Sequence, residues 1–213
     1  MNPGKFITLE GGEGTGKSTQ ARRLAEALEK HGIKVLVTRE PGGSPGAEQI
    51  RKLIVEGEGG RWDPIAETLL LYAARADHVA RTIGPALLRG VWVISDRFND
   101  STFAYQGAGR GVPRETIRRI DAAVLDDFKP DLTLVLDLPV ELGLARAGRR
   151  AHSEKSAETR FEGLDRDFHE RLRQAFIEIA RRQGDRCRLI DASGSMDAVA
   201  AAIFAAVQAR FDL

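Results

Sequence analysis

Nine residues near the start of the chain, Gly11-Gly12-Glu13-Gly14-Thr15-Gly16-Lys17-Ser18-Thr19, follow the pattern G-x-x-x-x-G-K-[ST]. Glycines at this spacing let backbone N–H groups turn inward around phosphate oxygens, and a helix that follows adds the partial positive charge of its N-terminus. In such a loop Lys17 reaches toward the β- and γ-phosphates and the Ser18 hydroxyl holds Mg²⁺. The chemistry on offer is binding, or transfer, of a nucleotide phosphate.

Arginines supply a second set of anion ligands. Arg39 stands in Thr38-Arg39-Glu40-Pro41-Gly42-Gly43, Arg75 in Tyr72-Ala73-Ala74-Arg75, and Arg97 in Asp96-Arg97-Phe98. A guanidinium grips phosphate bidentately, and one placed beside a phosphate loop suits a phosphoryl group passing between two anions. For any single arginine, surface solvation is the simpler reading. A guanine-specific GTPase would also carry Asn-Lys-x-Asp, but the only asparagines are Asn2 and Asn99, and neither fits. Asp96, at a strand end, is a candidate to hold Mg²⁺ with Ser18, directly or through water.

These residues need a frame. Phe6–Leu9, Val35–Thr38, Val91–Ser95, Leu132–Leu136 and Cys187–Ile190 are short apolar runs that read as five strands. Between them lie helical patterns: Ala21, Leu24, Ala25 and Leu28; a long helix opened by Asp63-Pro64 and running to about Leu88, kinked or ended early by Pro85; Leu164 through Ile179; and Met196 through Phe211. Continuous apolar strands imply a sheet covered on both faces, and strand–helix alternation implies a parallel, doubly wound α/β sheet. Ligands of such sheets bind beyond the carboxyl ends of the strands, where the motifs above fall.

Composition narrows the class. With 213 residues the chain suits a single domain, and it is ordinary for a soluble protein at 42% hydrophobic and 30% charged residues. Lys+Arg number 32 against 31 Asp+Glu, a formal charge of +1 that removes the basic excess expected of a nucleic-acid binder. Lysine is scarce and arginine abundant, from genome bias or from a demand for phosphate ligands; composition does not choose. A lone Cys187 excludes an intramolecular disulfide and reads as a small core residue. The apolar run at the N-terminus is too short for a signal peptide and nothing approaches a membrane span, so a cytoplasmic location and no membrane partner are expected.

Two segments carry alternative readings. Ala145 to Arg160 holds Arg146, Arg149, Arg150, Lys155 and Arg160 against Glu154 and Glu158, with no apolar residue larger than alanine. It is either a solvated helix end and loop or a lid that brings an arginine to the transferred group and excludes water. Tyr105 and Gln106, in Ser101-Thr102-Phe103-Ala104-Tyr105-Gln106-Gly107, either contact a base or sugar or pack under a loop.

Taken together, the phosphate loop, Thr38–Gly43, Tyr72–Arg75, Asp96–Phe98 and Ser101–Gln106 resemble the bacterial thymidylate kinases. The resemblance implies a P-loop nucleoside monophosphate kinase fold with a short lid at about 145–160, and phosphorylation of dTMP by ATP with Mg²⁺. It implies that Gly11 to Thr19, with Arg146, bind ATP. Arg39, Arg75 and Arg97 surround the dTMP phosphate, with Arg97 also near the transferred group. Glu13 faces the deoxyribose 3′-hydroxyl, Thr102 and Gln106 contact thymine, and Tyr105 crowds the sugar 2′ position. Glu40-Pro41 forms a rigid turn, open to the cis form, in the monophosphate site.

The chain departs from the family at two places. One family branch places a catalytic arginine in the phosphate loop where this chain has Gly14; here the role passes to the lid, to Arg149, Arg150 and in part Arg146. The family's stacking phenylalanine, four residues before Arg75, is Leu71. That substitution keeps open a related monophosphate kinase with another base preference; a non-enzymatic nucleotide switch is the alternative from a different class. Members typically form homodimers through the long central helices, for which Ala66, Leu69, Leu70, Ala73 and Ala74 offer a face that reads equally well as buried core.

Overall fold

The computed structural model describes residues 3–56, 61–154 and 165–213, with backbone alone over 150–154. Five strands, β1 (Phe6–Glu10), β2 (Val35–Arg39), β3 (Trp92–Asp96), β4 (Leu132–Asp137) and β5 (Cys187–Asp191), form one sheet in the order β2-β3-β1-β4-β5. Every pairing is parallel. Their carboxyl ends therefore lie along one rim, with β1 at the centre.

The helices follow from apolar periodicity and capping. Helix α1 (Lys17–Lys30) buries Ala21, Leu24, Ala25 and Leu28. Helix α3 (Pro64–His78) starts where Asp63 accepts from the Ile65 N–H with Pro64 at the first turn, as the sequence implies. The helical path continues to Leu88, but through a π-helical turn, Val79–Ile83, into α4 (Gly84–Leu88). Pro85 has no N–H to donate, and the wider turn just ahead of it absorbs the lost bond without breaking the helix. Helix α8 (Arg166–Arg182) and α9 (Met196–Phe211) complete the set foreseen from periodicity, although Leu164, expected on the α8 face, lies outside the described residues and Met196 is exposed.

Four further helical stretches lie outside those expected from the sequence, one of them the helix after β4 described below. Helix α2 (Pro45–Val55) is N-capped by Ser44, and the polar α6 (Arg114–Leu125) buries only Ile117 and Leu125. Between β3 and α6 lies α5 (Asn99–Thr102), continued by a π-helical segment, Phe103–Gly109, whose Ala104, Tyr105 and Gln106 are buried.

Alternate strand residues feed opposite faces. Ile7, Leu9, Ile94, Leu132, Leu134 and Leu136 pack against α1 and α9. Phe6, Val93 and Phe98 meet Tyr72, Ile83, Ile117 and Leu125, while Val135 and Cys187 meet α8. The sheet is therefore covered on both sides, and its apolar strands are continuous for that reason.

Helix α7 (Val140–Glu154), following β4, closes directly on the phosphate loop. Gly14 has φ +67°, and a Cβ there would collide with the backbone carbonyl of Gly143; a Cβ on Gly143 would in turn meet the Glu13 carbonyl at 2.6 Å. Backbone meets backbone, so neither side can yield by a rotamer change. Gly143→Ala is therefore expected to cost about 1–3 kcal/mol, as overpacking of a close contact does. Chemical denaturation should show a lower midpoint at unchanged slope; an unchanged midpoint would show that the loop and α7 are not tightly seated.

Candidate active site

Three strand ends meet at the phosphate loop. β1 ends in Glu10 and runs into Gly11–Gly16. Lys17, the first residue of α1, is buried, and its ammonium donates to Gly11 O (3.2 Å), Gly12 O (2.7 Å) and Thr15 Oγ1 (3.3 Å). Burial first, and Arg97 second, lower the Lys17 pKa to about 8, against the pull of Glu13, Asp96 and Glu10. The exposed Ser18 hydroxyl donates to Asp96 Oδ2, so the two residues expected at a metal stand side by side, one in the first turn of α1 and one at the end of β3. Thr15 Oγ1 donates back to Gly12 O at 3.1 Å, and Thr19 is half-buried in the first turn of α1.

Arg97 follows Asp96 with φ +70°, a left-handed conformation uncommon outside glycine. Its N–H donates to Leu9 O of β1 at 2.9 Å and its carbonyl accepts from Ser95 Oγ of β3 itself at 2.7 Å, so the central strand and its own strand hold the turn. The turn aims the guanidinium back over the loop. Nη1 donates to Gly11 O (2.9 Å) and Ser101 Oγ (3.2 Å), and Nη2 to Glu13 Oε1 (3.0 Å) and the Tyr105 hydroxyl (2.8 Å). The Tyr105 hydroxyl itself donates to Glu13 Oε1 at 2.5 Å. Burial opposes the Arg97 charge, but Tyr105, Glu13, Asp96 and Glu10 together raise its pKa above the usual value.

On the far side, β2 delivers Arg39, exposed and paired with Glu48 at 3.1 Å, and then a cis Glu40–Pro41 bond. The half-buried Pro41 carbonyl accepts from Arg51 of α2 at 2.6 Å. Glu40 is buried and pairs with Arg75 Nε (2.7 Å) and His78 Nδ1 (3.0 Å) from α3. Arg75 also donates to Asn99 Oδ1 (3.3 Å), Thr102 Oγ1 (3.1 Å) and Phe98 O (3.1 Å), so much of its donor capacity is spent within the fold. Gln106 Nε2 donates to the buried Glu67 at 3.0 Å, and Leu71 is half-buried on the same helix.

On α7, Arg146 donates to Ala192 O at 3.1 Å, just past the end of β5, while Arg149 is exposed. The side chain of Arg150, and Lys155 and Arg160 entirely, lie outside the described residues. Of the expected site residues, the structure brings Glu13, Lys17, Ser18, Asp96, Arg97 and Tyr105 into one connected group. Arg75, Thr102 and Gln106 form a second, and Arg39 stands apart from both with Glu48.

The family model described as Thymidylate kinase matches residues 9–203. The chain belongs to the thymidylate kinase family. It is 54% identical over 213 residues to a thymidylate kinase of Caulobacter vibrioides, covering 100% of both chains. It is also 48% identical to one of Magnetococcus marinus, over 98% of this chain and 97% of that protein. The crystal structure of the Ehrlichia chaffeensis thymidylate kinase superposes with a TM-score of 0.77 at 33% identity, covering 97% of this chain and 99% of that one. Members of this family are ATP-dependent phosphotransferases, and the P-loop kinase fold expected from the motifs is the fold found.

Two features of the site bear on the family pattern. An arginine in place of Gly14 has no room, because the left-handed φ and the Gly143 carbonyl both exclude a side chain there. Second, the buried carboxyl groups that organise the site were not read from the sequence. Glu10 accepts from Phe98 N (2.8 Å), Ser101 Oγ (2.5 Å) and Ser101 N (3.4 Å), fastening the turn around Arg97. Asp100 pairs with Arg186 through both oxygens, at 2.9 and 2.7 Å, and Arg186 also donates to Thr133 at 2.6 Å. Glu10 is signalled in the sequence only as a charged residue at the end of an apolar run, and Asp100 has no signal there.

Burial, then the neighbouring Asp100, raises the Glu10 pKa from 4.5 to about 8. Between these values the folded state binds more protons than the unfolded, so this contribution to stability is complete below about pH 4.5 and is lost as pH rises through about 8. Glu10→Gln keeps both hydrogen-bonding ends and removes the titration. Thermal midpoints of wild type and variant between pH 6 and 9 should show wild type losing ground to the variant as pH rises; parallel curves would mean that Glu10 does not take up a proton on folding.

Proposed function

We propose that this thymidylate kinase transfers the γ-phosphoryl group of MgATP to dTMP, giving dTDP and ADP for dTTP biosynthesis. The observation that carries the reading is the position of Arg97, which touches the phosphate loop at Gly11 and Glu13 and the Ser101–Gln106 segment at once. A guanidinium so held stands between a nucleotide on the loop and a second anion beyond it. Catalysis is then positioning and charge neutralisation, because the transition state spreads its charge over the equatorial oxygens.

Within this reading, the inward N–H groups of Gly11 to Gly16 and the α1 N-terminus cradle the ATP phosphates, with Lys17 at the β- and γ-groups. In the present state Lys17 donates to loop carbonyls, and phosphate oxygens would exchange for them. Ser18 and Asp96 offer adjacent hard oxygens of the kind Mg²⁺ takes alongside phosphates, and the ion would add charge neutralisation there. Arg39, Arg75 and Arg97 face the dTMP phosphate, Glu13 the 3′-hydroxyl, and Tyr105 the sugar. Burial raises the Tyr105 pKa well above its normal value, so its hydroxyl stays protonated. Arg149 and Arg150 of α7 supply the arginine that reaches the transferred group when the 145–160 segment closes, and Arg146 flanks the ATP side.

The chain acts as one kinase domain, cytoplasmic, and as a homodimer. The exposed Leu69 and Ala73 of α3 offer that surface, while Ala74 belongs to the core. No helix among the described residues is long and apolar enough to cross a membrane.

Coupled ADP release with a panel of nucleoside monophosphates should show stimulation by dTMP; stimulation by another monophosphate and not by dTMP would overturn the substrate. Replacing Lys17 with Ala should depress turnover severely. The double variant Arg149→Ala/Arg150→Ala should lose about 10³–10⁵ in turnover, as removal of an arginine finger does. Normal turnover in that double variant would refute the assignment to α7.

A further inference from the structure

Glu67, Leu71 and Arg75 recur every four residues along α3 and so share one face. That face is latched at both ends to the segment carrying Thr102 and Gln106. At one latch the Glu67 carboxylate accepts from Gln106 Nε2 at 3.0 Å; at the other Arg75 Nη1 donates to Thr102 Oγ1 at 3.1 Å. Leu71 lies between the two latches on α3. All four latch side chains are buried, Glu67 completely, with Arg110 Nη1 3.7 Å from its second oxygen as counter-charge.

Each latch has a direction. A carboxylate only accepts, so the Gln106 amide must turn its NH₂ toward Glu67 and its carbonyl oxygen the other way. A guanidinium only donates, so Thr102 Oγ1 is used there as an acceptor and the hydroxyl proton remains for another partner. An unlatched glutamine can present either end of its amide to a ligand, and an unlatched threonine can donate or accept. With the latches made, Gln106 is an acceptor and Thr102 a donor.

We propose that Glu67 is a specificity-determining positioning residue: through Gln106, and with Arg75 acting likewise on Thr102, it sets the hydrogen-bond polarity of the base site. A donor beside an acceptor complements a pyrimidine edge with C4=O next to N3–H, the edge of thymine and uracil. In the same ring pose cytosine carries an amino donor at position 4 and a lone pair at position 3, a mismatch at both. A buried polar group left unpaired discriminates far more sharply than shape does. The proposal rests on the reading that the monophosphate base docks against Leu71, Thr102 and Gln106.

The test is the ratio of kcat/KM for dTMP to that for dCMP, with KM and kcat resolved separately. Glu67→Gln can donate to the Gln106 carbonyl and so tolerates the reversed amide. Its dTMP-to-dCMP ratio should fall about ten- to hundredfold, the range of one buried unpaired hydrogen bond, mostly through a rise in KM for dTMP. The exchange variant Glu67→Gln/Gln106→Glu restores an obligate acceptor at position 106 and should regain the preference. A merely structural Glu67 would lower both substrates together. An unchanged ratio in folded Glu67→Gln, or a lost preference in the exchange variant, would overturn the proposal; if Glu67→Gln does not fold, the exchange variant decides alone. A wild type that dTMP fails to stimulate would instead overturn the underlying substrate assignment.

Discussion

The site depends on one residue in an unfavourable backbone conformation. Arg97 takes φ +70° at the end of β3, where an L-residue is held only if its surroundings over-determine it. They do so from several directions: Leu9 O and Ser95 Oγ fix its backbone, and Gly11 O, Glu13, Ser101 and Tyr105 fix its side chain. Because β3 lies between β2 and β1, a turn made there faces both the β2 loop and the phosphate loop. A relaxed backbone at Arg97 would send the guanidinium elsewhere and leave the loop and the Ser101–Gln106 segment unconnected.

Around this residue the fold buries acidic side chains. Glu10, Glu40, Glu67 and Asp100 are all inside, each with specific donors or a cationic partner. Such pairs repay their desolvation poorly as stabilisers, and a hydrophobic replacement often does as well. What they supply here is direction. Glu10 fastens the Arg97 turn, Glu40 ties Arg75 and His78 to the end of β2, and Asp100 with Arg186 links α5 to the β5 edge. The apolar layers on the two sheet faces carry stability, and the buried polar layer at the rim carries geometry.

Much of this was legible in the sequence because its physical cause is local. Five apolar runs became five strands, and the Asp63-Pro64 cap opened α3 where a capping side chain and a proline belong. The phosphate loop and the Asp96–Arg97 pair converge as their places after strands require. The polar α6 was not legible, since only Ile117 and Leu125 are buried along its 12 residues. Nor were the partners of the site. A single carboxylate such as Glu67 or Glu10 reads as surface until the sheet order and the π-helical segment bring Gln106 or Ser101 against it. The near-neutral total charge likewise hid a rim where Lys17 and Arg97 are balanced by Glu13 and Asp96.

On the proposed function, Arg97, held between the loop and the neighbouring segment, grips the phosphate of the nucleotide acceptor. Calorimetric titration of dTMP into ATP-free protein, wild type against Arg97→Lys, tests it most directly. Wild type should bind dTMP without ATP. The variant should bind about ten- to hundredfold more weakly, through the loss of a charge-assisted forked contact. Equal affinity in the two folded proteins would contradict it.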